Sequence, residues 1–376
     1  MDITYEKIVL FITLIFSTSL IFTVFIIPFI HKIGIKFNLV DKPDFRKLHK
    51  GPIVRLGGVG IFLGYLLGLS IIYIFGNDLN LESEYIKLTI LGSFLFLLIG
   101  LFDDLFSLSP FFRLGIQFLT TIILFSNGLK IDAIDLSWIN SDFSPIILNK
   151  SLSLIFISLW VVGLTNAINW IDGLDALASG ITLISTMSIS FIFIALDKWE
   201  LVFLSSAFCG GIFGFLRYNI FPAKIMMGDS GSYFLGSFLG IISIEGLTAG
   251  IDNLSKQINS NFYNIEIFPI HIALIIFFVP IFDMSFVIFT RIRNGNSPFY
   301  PDRSHIHHKL LNRGINERST AIIIYATSIL FSCLALFIFG IEGKVYFLTT
   351  SFIIILISML YVLNMKRFLE SNYNDK

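Results

Sequence analysis

The sequence predicts an all-α polytopic integral membrane protein, and three observations predict it. Of the 376 residues, 55% are hydrophobic and only 14% are charged, against about 25% charged in an ordinary soluble domain. Mean hydropathy is +0.83. Apolar runs of about 20 residues, long enough to cross a bilayer, recur along the chain with short polar breaks between them. A water-soluble globule is excluded. The balance of 26 Lys and Arg against 26 Asp and Glu removes the basic excess that would point to nucleic acid. Cys209 and Cys333 both sit in apolar runs and offer neither a disulfide framework nor a thiolate metal site.

Spans are expected near 8–30, 59–76, 86–102, 111–128, 152–168, 176–196, 201–220, 232–250, 267–290, 321–340 and 345–365, about eleven in all with ten possible. The breaks are too short for a second folding unit, so 1–376 reads as one transmembrane domain. The first run is too long for a leader's apolar core and reads as a span. Basic residues are sparse before it and dense after it (Lys32, Lys36, Lys42, Arg46, Lys47, Lys50, Arg55). The positive-inside rule therefore puts the N-terminus outside and the 31–58 loop in the cytoplasm. Alternation then places 103–113, 166–176, 217–230, 291–320 and the C-terminus inside. Outer loops are acidic or poor in Lys and Arg (Asp78, Glu82, Glu84, Asp132, Asp135, Asp142), whereas 291–320 carries Arg291, Arg293, Arg303, Lys309, Arg313 and Arg318.

The functional candidates follow in chain order. The 41–58 loop is dense in cations, among them Arg46 and His49, and its Pro and Gly residues suggest order. The third span ends in Asp103-Asp104. Adjacent helical residues point about 100° apart, and the helix dipole opposes anions at a C-terminus, so a cation should hold this pair. Asn166, Asn169, Asp172 and Asp175 recur every three residues, a polar stripe that ends where Gly173 bends the helix. Such a row suits a hard cation, a phosphate-bound metal or a sugar, and its bland alternative is an amide ladder that glues helices.

Met226 to Ser232 holds Gly228, Asp229 and Gly231 just before an apolar run. Ser230 or Ser232 could cap that helix, its N-terminus would receive an anion, and Asp229 could carry a metal onto that anion. The longest inner loop contains Arg303, His305, His307 and His308. Phosphate or sugar contact is favoured there over zinc, because His307 and His308 point different ways and no cysteine assists. All five groups fall on the cytoplasmic face, which argues for one shared site. Magnesium fits best, with manganese as a substitute, because Mg²⁺ takes one or two carboxylates together with substrate phosphates.

Read together, Asp103-Asp104, Asn166 to Asp175, Gly228 to Gly236 and His305 to His308 resemble, in that order, the motifs of the polyprenyl-phosphate N-acetylhexosamine-1-phosphate transferases. Asp41-Lys42-Pro43, Arg46-Lys47, His49 and Arg55 to Gly58 look like that family's first cytoplasmic loop. The resemblance covers roughly 41–310. The form of the histidine motif after Pro301-Asp302-Arg303 is closest to the WecA/TagO-like branch, which moves a GlcNAc-1-phosphate type unit. Ser107, Arg113, Trp170 and Ala176 depart from the usual pattern, Ala176 standing where Gly is common.

The resemblance implies attack by undecaprenyl phosphate on the β-phosphorus of a UDP-N-acetylhexosamine, with release of UMP, at a cell-membrane protein whose site faces the cytoplasm. Asn169 and Asp229 would ligate the metal. Asp103 or Asp104 would position the lipid phosphate or take its proton, and Asp172 and Asp175 would bind or orient substrate. Arg46, His49, Arg113, Asn166, Arg303, His305, His307 and His308 would contact substrate and its phosphates. A homodimer is possible. The nearer alternative is the phospho-N-acetylmuramoyl-pentapeptide transferase, and the more distant one is a cation-coupled transporter, whose site would lie at the bilayer midplane.

Overall fold

The computed structural model describes residues 5–41, 52–75, 83–140, 143–250, 266–300 and 302–340. Twelve helices dominate these residues: α1 (Tyr5–Lys36), α2 (Gly57–Phe75), α3 (Ser83–Phe106), α4 (Pro110–Ser126), α5 (Lys150–Ile171), α6 (Leu177–Ala195), α7 (Trp199–Asn219), α8 (Gly228–Leu247), α9 (Ile270–Ile276), α10 (Phe278–Arg293), α11 (Ile306–Asn312) and α12 (Glu317–Phe339). Their ends carry recognisable signals. Asn149 and Asn316 cap α5 and α12 by accepting from Leu152 and Ser319 N–H groups, Pro110 sits in the first turn of α4, and Gly340 closes α12 at φ +89°.

Seven of these helices are long and apolar enough to cross a membrane, or eight if α9 and α10 form one span bent by 84°. The bend has a local cause: Pro280 lacks the N–H that would bond the Ile276 carbonyl. α4, at 17 residues, is apolar but shorter. α8 has the length but is rich in Gly and Ser, and every one of its residues except Asp229 is buried. The expected span near 345–365 lies outside the described residues, while each of the others coincides with a helix or with the bent pair. The all-α expectation needs one addition. Short strands β1 (Val40–Asp41) and β2 (Ile53–Val54) pair antiparallel, and β3 (Ala133–Ile134), β4 (Ile146–Ile147), β5 (Ala249–Gly250) and β6 (Glu266–Phe268) form a sheet in the order β4-β3-β6-β5.

α8 is the centre of the bundle and packs against α2, α3, α5 and α6. In lipid the hydrophobic drive between helices is absent, so small residues and interhelical hydrogen bonds must do the holding. They are present. A side chain at Gly236 would run into the Thr165 backbone of α5, and one at Gly58 into the Ser230–Gly231 backbone of α8. Trp160 donates to Ser243 Oγ, Ser19 Oγ donates to the Ala207 carbonyl, and Thr121 and Ser158 hydroxyls meet at 2.7 Å. Phe208 and Phe238 stack with ring centroids 3.7 Å apart. The four-stranded sheet follows the C-terminus of α8 and precedes the N-terminus of α5, so it closes the end of the bundle opposite the C-termini of α3 and α5.

Candidate active site

The C-terminus of α3, the C-terminus of α5 and the N-terminus of α8 meet at one end of the bundle. The 53–58 segment is strapped across them. Met226 N–H bonds the Val54 carbonyl, and Gly57 and Gly58 N–H groups bond the Met226 and Met227 carbonyls. Gly228, at φ +77°, is required here, because a side chain would strike the Arg55 carbonyl and Asp104 Oδ2.

The cations expected beside the acid pair are there, one for each acid. Asp103, only 4% exposed, accepts from Arg113 Nη1 at 2.6 Å, from the Leu108 N–H at 2.9 Å and from the Tyr233 hydroxyl at 3.2 Å. Asp104 turns the other way and takes the Asp229 and Ser230 N–H groups on its two oxygens, each at 2.9 Å. It caps α8 from another helix, so the expected cap by Ser230 or Ser232 is not the one used: α8 begins at Gly228, two residues before Ser230. Arg55 Nη2 lies 3.5 Å from both Asp104 Oδ1 and Asp229 Oδ1, and its Nη1 lies 3.8 Å from Asp41.

The polar stripe of α5 divides. Asn169 Nδ2 donates to Asp229 Oδ1 at 2.8 Å and to Ser232 Oγ at 2.9 Å, which joins α5 to the acids of α8. Asn166, one turn deeper, donates to Gln117 Oε1 of α4 and to its own helix and so serves packing. Asp172 ends α5 and lines a cavity of about 600 Å³ together with Asp41, Arg55, Asp175, His308 and Glu317. Burial pushes its carboxyl up to about 7, against the nearby Arg55 and with Asp229, Asp104 and Asp175 adding to the rise. Asp175 Oδ2 accepts the Ala223 N–H at 2.8 Å.

The histidine segment is built differently. His305 Nδ1 lies 2.7 Å from Asp283 Oδ2, and the other oxygen of Asp283 accepts the Ile306 N–H. His307 is 1% exposed, packs on Gly173, and neither ring nitrogen has a hydrogen-bond partner among the described residues. Burial and the neighbouring His308 and His305 push it down to about 3, so it is neutral at ordinary pH. His308 reaches the cavity. Arg291 pairs with Asp302 at 2.8 Å and lies over Trp170, whose edge meets His305. Arg303 is exposed. Arg46 and His49 lie outside the described residues.

Two site residues escaped the motif reading. Arg55 belongs to the basic first loop and to the segment that resembles the family's, without a role of its own there, and its position just before Gly57-Gly58 is the signal that it is held rigidly. Asp283 is a lone acid within an apolar run, which is itself a mark of function.

The donor set suits a hard cation in part. Among the described residues no three Asp, Glu, His or Cys side chains converge on a metal position, while Asp229 and Asn169 present oxygen-bearing groups side by side at the edge of the cluster. Asn169 would turn its amide to offer Oδ1. Such a pair leaves the remaining ligands to phosphates and water, which is how Mg²⁺ is commonly held.

Fold and site thus define a helical membrane protein with an acid, amide and arginine cluster at one end of its bundle, beside a cavity lined by Arg55, His308 and several carboxylates. The model of glycosyl transferase family 4 matches residues 86–247. A probable undecaprenyl-phosphate N-acetylglucosaminyl 1-phosphate transferase of Bacillus subtilis is 35% identical over 321 residues, 85% of this chain and 83% of that protein. An undecaprenyl-phosphate alpha-N-acetylglucosaminyl 1-phosphate transferase of Escherichia coli is 29% identical over 82% of this chain and 80% of its own length. A decaprenyl-phosphate N-acetylglucosaminephosphotransferase of Mycobacterium tuberculosis is 27% identical over 82% and 78%. The chain belongs to glycosyl transferase family 4.

Proposed function

We propose that this protein transfers GlcNAc-1-phosphate from UDP-GlcNAc to undecaprenyl phosphate and releases UMP, as an early membrane step in making a cell-envelope polysaccharide. The observation that carries this reading is the meeting of Asp104, Asp229, Asn169 and Arg55 at the start of α8, beside the cavity. The names of the relatives support the acceptor and the sugar. The N-terminus lies outside, the cluster faces the cytoplasm of the cell membrane, and eleven crossings, the last beyond the described residues, put the C-terminus inside. That topology is supported by the concentration of Lys and Arg in the loops at the cluster's end.

In the reaction an oxygen of the lipid phosphate forms a bond to the β-phosphorus, and the bond from that phosphorus to the bridging oxygen breaks, so UMP leaves. A phosphate monoester has its second pKa near about 6, so the nucleophile is already mostly dianionic at neutral pH. Charge placement is then the larger task. Both Asp103 and Asp104 are engaged as hydrogen-bond acceptors, which supports positioning over proton abstraction. Arg113 and Asp103 fix the start of α4, Asp172 and Asp175 orient the donor in the cavity, and His308 and Arg303 contact its phosphates. Asp229 and Asn169 would hold magnesium, which when bound supplies charge neutralisation on the diphosphate.

Membranes carrying the chain, incubated with undecaprenyl phosphate, MgCl₂ and a panel of UDP-sugars, should form lipid-linked product and UMP with UDP-GlcNAc above the others. Consumption of UDP-N-acetylmuramoyl-pentapeptide instead would overturn the sugar assignment.

A further inference from the structure

Arg55 differs from Arg113 and Arg291 in how it meets its acids. Arg113 and Arg291 are seated on theirs at 2.6 and 2.8 Å, the range of a charge-assisted hydrogen bond. Arg55 stands at 3.5, 3.5 and 3.8 Å from three carboxylates. The oxygens that its Nη2 faces already accept one shorter bond each, Asp104 Oδ1 from the Asp229 N–H and Asp229 Oδ1 from Asn169, both at or below 2.9 Å. At these distances Arg55 closes a fork on neither carboxylate. Its backbone is fixed by the strap to 226–227, yet its side chain is 36% exposed and lines the cavity. The base is rigid and the tip has room to turn.

We propose that Arg55 is an exchange cation. It balances Asp104 and Asp229 while the site lacks a divalent ion, and it turns onto the donor's phosphates when that ion takes its place at Asp229. This rests on the magnesium reading above. A guanidinium and a divalent cation repel each other at such distances, so they compete for one carboxylate, whereas a diphosphate carries charge enough for both and suits the planar guanidinium.

The test uses the purified full chain and its Arg55→Gln and Arg55→Lys variants. Thermal unfolding is followed against MgCl₂ without substrate, and the KM for UDP-GlcNAc is taken at saturating MgCl₂. Removing the competitor should lower the MgCl₂ concentration for half-maximal stabilisation about fivefold in Arg55→Gln. The same change should raise the KM about tenfold with a smaller change in kcat. Arg55→Lys keeps the charge and should hold the wild-type MgCl₂ midpoint, which also guards against a Gln variant that fails to fold. A Tm lowered equally at every MgCl₂ concentration, with the midpoint unmoved, would show a structural arginine and overturn the exchange. A wild-type protein that Mg²⁺ neither stabilises nor activates overturns the magnesium reading itself.

Discussion

The two ends of α8 solve the same electrostatic problem in different ways. At its C-terminus Lys198 Nζ donates to the Glu245 and Thr248 carbonyls at 3.1 and 2.7 Å, and Thr89 donates to Glu245 Oε2 at 2.9 Å. A cation thus sits on the negative end of the helix dipole, directly before β5, an edge strand of the four-stranded sheet. At its N-terminus the anion Asp104 sits on the positive end, but the neighbouring Arg55 stands off at 3.5 Å and the cluster opens into a cavity. At one end the cation is seated directly on the helix carbonyls. The other has a cation not locked to its acids, which is the arrangement of a site that must receive another charged group.

That contrast can be broken from either end. Asp229→Ala removes the half-buried acid at the start of α8 and should lower UMP release by about a thousandfold even at high MgCl₂; near-normal turnover would take Asp229 out of the metal role. Lys198→Ala strips two charge-assisted hydrogen bonds at the far end and should cost about 2 kcal/mol in thermal unfolding, with kcat and KM unchanged in the folded fraction. If kcat collapsed with stability intact, the far end would not be merely structural.

The pH dependence sharpens the comparison within the open end. Asp172, pushed up to about 7, is protonated below that pH and ionised above it, so turnover that uses its carboxylate should rise between pH 6 and 8, a change worth about 1.4 kcal/mol per unit. Asp172→Asn should flatten that limb. His307, pushed down to about 3, stays neutral throughout, and His307→Gln should keep the limb, in initial-rate profiles at saturating MgCl₂. The smallest effect belongs to Ala176, which holds φ +63° before α6. Ala176→Gly should relieve the left-handed backbone and raise stability by about 0.5 kcal/mol, read as a Tm increase.

Much of this was legible beforehand because two patterns are local. Apolar run length locates the long helices of the described residues and the bent pair α9–α10, and Asp103-Asp104, Asn169 and Asp229 stand out as polar groups at span ends. The pairing was not legible. That Asp103 belongs to Arg113 and Tyr233 while Asp104 caps α8 depends on how three helices meet, and contacts across 125 residues of chain leave no periodic trace. Asn166 shows the reverse failure: it shares the spacing of Asn169, yet one helical turn separates a residue beside Asp229 from one spent on Gln117. The short strands near 133, 147, 250 and 267 were hidden too, because two- and three-residue pairings carry no alternation to read.

The central claim is that phosphorus travels with the sugar. Purified chain, undecaprenyl phosphate and MgCl₂ with UDP-GlcNAc labelled at the β-phosphorus should place the label in the lipid product and leave unlabelled UMP in equal amount. Label recovered in released UDP, with sugar alone on the lipid, would contradict the account.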